Sequence, residues 1–260
     1  MASMDYDEAA AERLEAVYRG SDVAAQRRFT LDQLALRQGQ RVIDIGSGPG
    51  FLSAEMAEAV GMEGAVLGLD ISEALLARAR ARNTRPWLSY ERGDATALPV
   101  PDASFDVAVS VQVAEYVADI EGFCAEFARV IRPGGRGLVV ATDWDAVAWH
   151  SENPARMARM LKAFEPHCAD PRLPRTLAPR LRAAGLTVTG TTGFPIINLA
   201  ASAGSYSLTA RAFLAGYVRG QGTMDAAEID AWEAELDGLD ARGASFFSST
   251  RVFVAVSKPA

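Results

Sequence analysis

Glycines and carboxylates stand in this sequence at spacings that could hold one polar small molecule. Gly46, Gly48 and Gly50 directly follow the apolar run Val42-Ile43-Asp44-Ile45 and directly precede a helical pattern. Glycine lets a backbone turn sharply and approach a ligand closely. The helix start behind it adds unpaired N–H groups and a partial positive charge. A dinucleotide fingerprint wants glycine three residues after Gly48, where Phe51 stands, and the Gly-Lys-Ser/Thr of a phosphate loop is absent. An acid instead precedes the loop: Asp44 fits a ligand whose amino-acid end is zwitterionic. Asp70 closes the next apolar run, about 20 residues past the glycines, where a carboxylate can accept from two ribose hydroxyls. Asp94, in Gly93-Asp94-Ala95, follows the third run and can accept from an adenine-type amino group. Singly, each aspartate reads as a cap or turn residue. At successive strand ends they address one edge of one sheet.

General bases are scarce. The only two histidines, His150 and His167, fall in one segment, and an imidazole titrates near neutrality. Both are candidates for taking a proton from a hydroxyl or an acidic carbon; a loop-tethering role is the alternative. Cys124 lies in a helical pattern with Phe123 and Phe127 and reads as core. Cys168 follows His167 with no further ligand at metal spacing, so no metal site is expected. Trp144, Trp149, Phe194, Tyr206, Phe213 and Tyr217 could line an apolar pocket, although aromatic side chains also serve as packing.

The elements that must position these residues alternate between strand and helix patterns. Strands are expected at 41–45, 65–69, 87–91, 105–110, 137–142, 186–192 and 245–258. Helices are expected at 51–60, from Ser72 to 82, at 120–131 stopped by Pro133-Gly134-Gly135, at 154–164 and at 174–184. Residues 1–40 read as a cap of two helices. Residues 41–142 read as the ligand-binding core. Residues 143–260 complete the same domain, with insertions at 143–172 and 198–243, the latter carrying two more helical patterns.

Together, Val42–Gly50, Leu67–Ser72, Gly93–Pro99 with Phe105–Ser110, and Arg132-Pro133-Gly134-Gly135 resemble the class I, Rossmann-like S-adenosylmethionine (SAM)-dependent methyltransferases. The resemblance is to the branch similar to the ubiquinone/menaquinone-biosynthesis enzymes (methyltransferase type 11 domain). It implies an α/β fold, a seven-stranded mostly parallel sheet of order 3-2-1-4-5-7-6 with helices on both faces, plus N-terminal helices and a helical lid. It implies SAM as cofactor, held by Gly46, Ser47, Gly48 and Gly50, by Asp70 with Ile71 at the ribose, by Asp94 and Ala95 at the adenine, and by Val111. Many relatives have Cys at position 47 and Asn at position 111. Tyr18–Arg28 is similar to a helix that closes over the methionine carboxylate, with Gln26, Arg27 or Arg28 as the contact. The implied reaction is O- or C-methylation of an apolar or aromatic small molecule. The alternative is a SAM-binding scaffold that does not methylate, such as a cyclisation catalyst or a regulator.

Composition sets the outer bounds. Of 260 residues, 49% are hydrophobic and 23% charged, the balance of a globular domain, and the net charge of −7 disfavours nucleic-acid or membrane-surface partners. No run approaches a transmembrane length, and the start lacks a signal-peptide pattern, so a cytoplasmic location is expected. The oligomeric state is left open, a homodimer included.

Overall fold

A computed structural model describes residues 8–260. Helices α1 (Glu8–Arg19) and α2 (Ser21–Leu34) precede a sheet of β1 (Arg41–Ile45), β2 (Ala65–Asp70), β3 (Leu88–Arg92), β4 (Phe105–Val111) and β5 (Ile131–Thr142). Helices α3 (Phe51–Val60), α4 (Glu73–Arg82) and α5 (Ile120–Val130) connect these strands. The two-residue β6 (Ala148–Trp149), α6 (Pro154–Phe164) and α7 (Pro174–Ala183) follow, then β7 (Thr187–Asn198), α8 (Tyr206–Gln221), α9 (Ala226–Ala241) and β8 (Phe247–Ser257).

The sheet runs β3-β2-β1-β4-β5-β8, with β7 on the far side of β8; β6 continues the line of β5 along β8. With β6 set aside this is the expected 3-2-1-4-5-7-6 arrangement. β1 to β5 are parallel, and β8 enters antiparallel between β5 and β7. β1 and β4 are apolar and covered on both faces, as central parallel strands must be. One face packs on α5 and α7 through Phe123, Phe127, Leu177 and Leu181, and Cys124 lies buried in this layer. The other packs on α2 and α3 through Leu34, Leu52 and Met56. A satellite core joins α6, α8 and α9 around Met160, Leu214 and Trp232.

Two departures from the expected boundaries have a clear physical reason. Pro133-Gly134-Gly135 does not stop α5, which ends at Val130 and passes straight into β5. The tripeptide instead bulges inside the strand, whose pairing jumps from Phe105–Ile131 to Val107–Arg136. β7 continues past Thr192 to Asn198 because β8 offers partners down to Phe247; Pro195 is tolerated there because β7 is an edge strand.

Candidate functional site

The loop after β1 is pinned from three sides. The Gly46 and Ser47 N–H groups donate to the Leu69 carbonyl at 2.7 and 2.8 Å, tying the loop to the end of β2. Asp70 accepts from Gly48 N–H (2.8 Å) on one carboxylate oxygen and from Ser72 N–H (2.9 Å) on the other. Gly46, Gly48 and Gly50 all have left-handed φ, at 81°, 54° and 80°. At Gly46 a Cβ would lie 2.1 Å from Val113 Cγ2, in the loop after β4. At Gly48 it would lie 3.1 Å from the Tyr18 hydroxyl of α1. The glycines thus form a cradle with no room for side chains.

Asp44 is buried beneath this cradle and accepts from Ser53 Oγ at 2.5 Å; burial, reinforced by Asp70, pushes its carboxyl up to about 7. Burial also raises Asp70, against the lowering pull of its N–H donors. Ser47 Oγ is buried without a hydrogen-bond partner among the described residues, an unspent polar group beside the cradle. Asp94 is exposed and folds onto its own turn, accepting from the Thr96 N–H and hydroxyl at 2.8 Å; Ala95 lies beside it. Ile71 is 47% exposed next to Asp70, and Val111 pairs with Val140 where β4 ends.

The N-terminal helices strap across this loop. Tyr18 stacks on Phe51 at 5.9 Å, and the Arg82 guanidinium lies 4.1 Å over the same ring. Glu15 accepts from Arg19, Arg78 and Arg82, joining α1 to α4. Arg27, for which the resemblance implied a ligand carboxylate, donates to Glu55 (2.7 Å) and the Tyr18 carbonyl (2.9 Å), joining α2 to α3 and α1.

A second polar cluster, not anticipated from the sequence, lies where β4 and β5 end. Arg251 of β8 is 2% exposed. It donates to Gln26 of α2 (3.1 Å), to Ser249 (3.3 Å) and to Thr142, which closes β5. The Thr142 hydroxyl donates to Gln112 Oε1 at 2.5 Å, and its N–H donates to Glu115 at 3.1 Å. Glu115 is wholly buried, which pushes its carboxyl up to about 7 against the pull of Arg251. Tyr206 lies 4.4 Å and Trp144 6.0 Å from the guanidinium. A signal for Arg251 existed. It shares a strand face with Phe247, Ser249 and Phe253, and a face carrying two phenylalanines is a buried one.

The histidines part company. His167 is buried and stacks on Phe164 at 3.7 Å, with Trp144 edge-on at 4.6 Å. Its Nδ1 donates to the Phe164 carbonyl (2.8 Å), which leaves Nε2 a bare acceptor, and burial pushes its pKa down to about 4. His150 is exposed beyond Trp149, on the rim of a separate recess with Asn198, Arg211 and Asp240. Trp144, Trp149, Phe164 and His167 wall a narrow, mostly apolar recess. Phe194 packs on Phe29 of α2 instead, and Phe213 is 47% exposed.

Residues 43–139 match the family described as "Methyltransferase domain". Over 116 residues the chain is 43% identical to the demethylmenaquinone methyltransferase of Beutenbergia cavernae, covering 44% of this chain and 45% of that one. The chain thus spans less than half the length of the curated relatives it matches. Its fold is similar to that of the YcgJ protein from Bacillus subtilis (TM-score 0.61, 17% identity, 91% and 99% of the two chains). It is also similar to the Haemonchus contortus phosphoethanolamine N-methyltransferase 2 determined in complex with SAM (TM-score 0.60, 16% identity, 99% and 59%). No helix among the described residues is long and apolar enough to cross a membrane.

Proposed function

We propose, from the match of residues 43–139 to the methyltransferase-domain family, that this chain binds SAM and methylates a small-molecule acceptor on oxygen or carbon. The single observation that carries this reading is the Gly46–Gly50 cradle clamped to the Asp70 carboxylate, with the Ser47 hydroxyl left unspent beside it.

The residues fit the cofactor. Gly46, Ser47, Gly48 and Gly50 take the amino-acid end, with Asp44 beneath as a buried acid. Asp70, next to Ile71, accepts from the ribose hydroxyls with the lone pairs its N–H donors leave free. Asp94 and Ala95 border the adenine, and Val111 offers a backbone contact at the end of β4. The cofactor supplies an electrophilic methyl on a sulfonium; the protein's part is to position the acceptor and exclude water. α1 and α2 do the latter, through Tyr18 over Gly48 and Arg27 locked to Glu55.

An acceptor hydroxyl or acidic carbon must lose a proton. Glu115 suits that task better than either histidine. One of its oxygens has no partner among the described residues, and a carboxyl near 7 is a stronger base than an imidazole near 4. His150 stands outside this cluster, exposed at its own recess.

The test is twofold. Calorimetry should show saturable SAM and S-adenosylhomocysteine binding, with NAD weaker. A screen of phenolic, quinone and polyketide acceptors should then release S-adenosylhomocysteine in step with acceptor. Binding without turnover on any acceptor would favour the non-methylating scaffold, and tighter NAD binding would sink the cofactor assignment.

A further inference from the structure

The geometry points to Arg251 as the residue that selects the acceptor, and to an acceptor with a carboxylate on an aromatic body. This rests on the methyltransferase reading above and deepens it.

Arginine keeps its charge in any protein, so a buried guanidinium needs an anion or a dense set of acceptors. Among the described residues no carboxylate lies within ion-pairing distance of Arg251. Its bonds, from Nε and Nη1, go to a neutral amide and two hydroxyls, and none from Nη2 is present among the described residues. The cluster around it is short of acceptors in the same sense. Gln112 Nε2 and Trp144 Nε1 are buried donors without partners among the described residues. Gln112 is joined to Arg251 through the Thr142 hydroxyl, and Trp144 presents its ring to the guanidinium. A chain of unspent donors around a fixed cation is complementary to an oxyanion. The surroundings name the rest of the molecule. Tyr206 and Trp144 flank the guanidinium, and the Trp144 ring also walls the apolar recess, so an aromatic body has planar surfaces to lie against.

The cluster also sits where an acceptor must be. Val113, next to Gln112, is the side chain packed against Gly46, so the polar cluster and the cradle are built from one loop. The methionine carboxylate of the cofactor is the rival anion, and the experiment separates the two.

Protein saturated with S-adenosylhomocysteine is titrated calorimetrically with 1-hydroxy-2-naphthoate and, separately, with its methyl ester. The acid should bind about tenfold or more tightly than the ester. Arg251→Met should erase that preference and Arg251→Lys should keep part of it, while both bind S-adenosylhomocysteine as the parent does, which also certifies their fold. Equal affinity for acid and ester in the parent, no saturable binding of the acid, or a preference that survives Arg251→Met would each overturn the inference. So would a parallel loss of S-adenosylhomocysteine affinity in Arg251→Met, which would give the guanidinium to the cofactor. Failure of the parent to bind S-adenosylhomocysteine would instead strike the methyltransferase reading itself.

Discussion

Gly46→Ala isolates the contact between the cradle and the loop after β4. The substitution adds one methyl group at φ 81°, where a residue with a Cβ is strained by roughly 1–2 kcal/mol. The new carbon would also lie 2.1 Å from Val113 Cγ2 and 3.1 Å from its Cβ and Cγ1. Carbon atoms rest at about 3.5–4 Å, so Val113 must retreat by more than an ångström. Forced repacking of that kind costs roughly 1–3 kcal/mol. The sum is about 2–5 kcal/mol, measurable as a lowered urea midpoint. Val113→Ala removes both γ carbons and leaves only the 3.1 Å approach, which a small shift absorbs. In the double variant the steric part should vanish while the backbone part stays. The cycle of Gly46→Ala, Val113→Ala and the pair should therefore show a favourable coupling of about 1–3 kcal/mol. A coupling within about 0.5 kcal/mol of zero would mean that the two loops are not in contact in solution, and the placement of the second cluster beside the cradle would fall with it.

Asp70→Asn should weaken S-adenosylhomocysteine binding about ten- to hundredfold by calorimetry, since charge-assisted hydrogen bonds are lost; unchanged affinity would remove Asp70 from the ribose. Glu115→Gln should flatten stability against pH. The carboxyl stands near 7 folded and 4.5 unfolded, so its favourable contribution is full below 4.5 and is lost as pH rises through 7. By denaturation at pH 4.5 and 8, the parent should lose roughly 3 kcal/mol relative to the variant; a constant difference refutes the buried acid. His167→Phe works in the opposite sense. Its imidazole is held near 4 against 6.5 unfolded, so the parent alone should lose stability as pH falls from 6.5 to 4. Tyr18→Ala should speed S-adenosylhomocysteine release several-fold in stopped flow by removing the ring over Gly48 and Phe51; an unchanged rate would deny α1 a lid role.

The sheet was legible because its signals are local. β1 and α3 fall at the residues their patterns predict, since a short apolar run ending in glycine can do little else. Ser72 caps α4 with its own hydroxyl for the same reason. Long-range facts were not legible. β7 outran its pattern because the length of a strand at an edge is set by its neighbour. Arg251 was overlooked because the valines at 252, 254 and 256 carry the visible alternation, whereas Arg251 lies on the other face and its partners Gln26 and Thr142 are 225 and 109 residues away. Gln26, which the resemblance set beside Arg27 and Arg28 as a contact for the methionine carboxylate, accepts from Arg251 across 225 residues of chain, a partner no local pattern names. His150 and His167 were paired by closeness in sequence, yet the chain sends one to the surface and the other into an aromatic stack.

The antiparallel entry of β8 between β5 and β7 also sets a schedule for biogenesis. Thr142 must wait 109 residues for Arg251. At a ribosomal pace of roughly 5–20 residues per second, the nascent chain carries an open β5 edge for about 5–20 s. An unpaired edge is a template for a neighbouring chain. Over that interval the emerging polypeptide is most exposed to mispairing, and a holdase chaperone would then have most to protect.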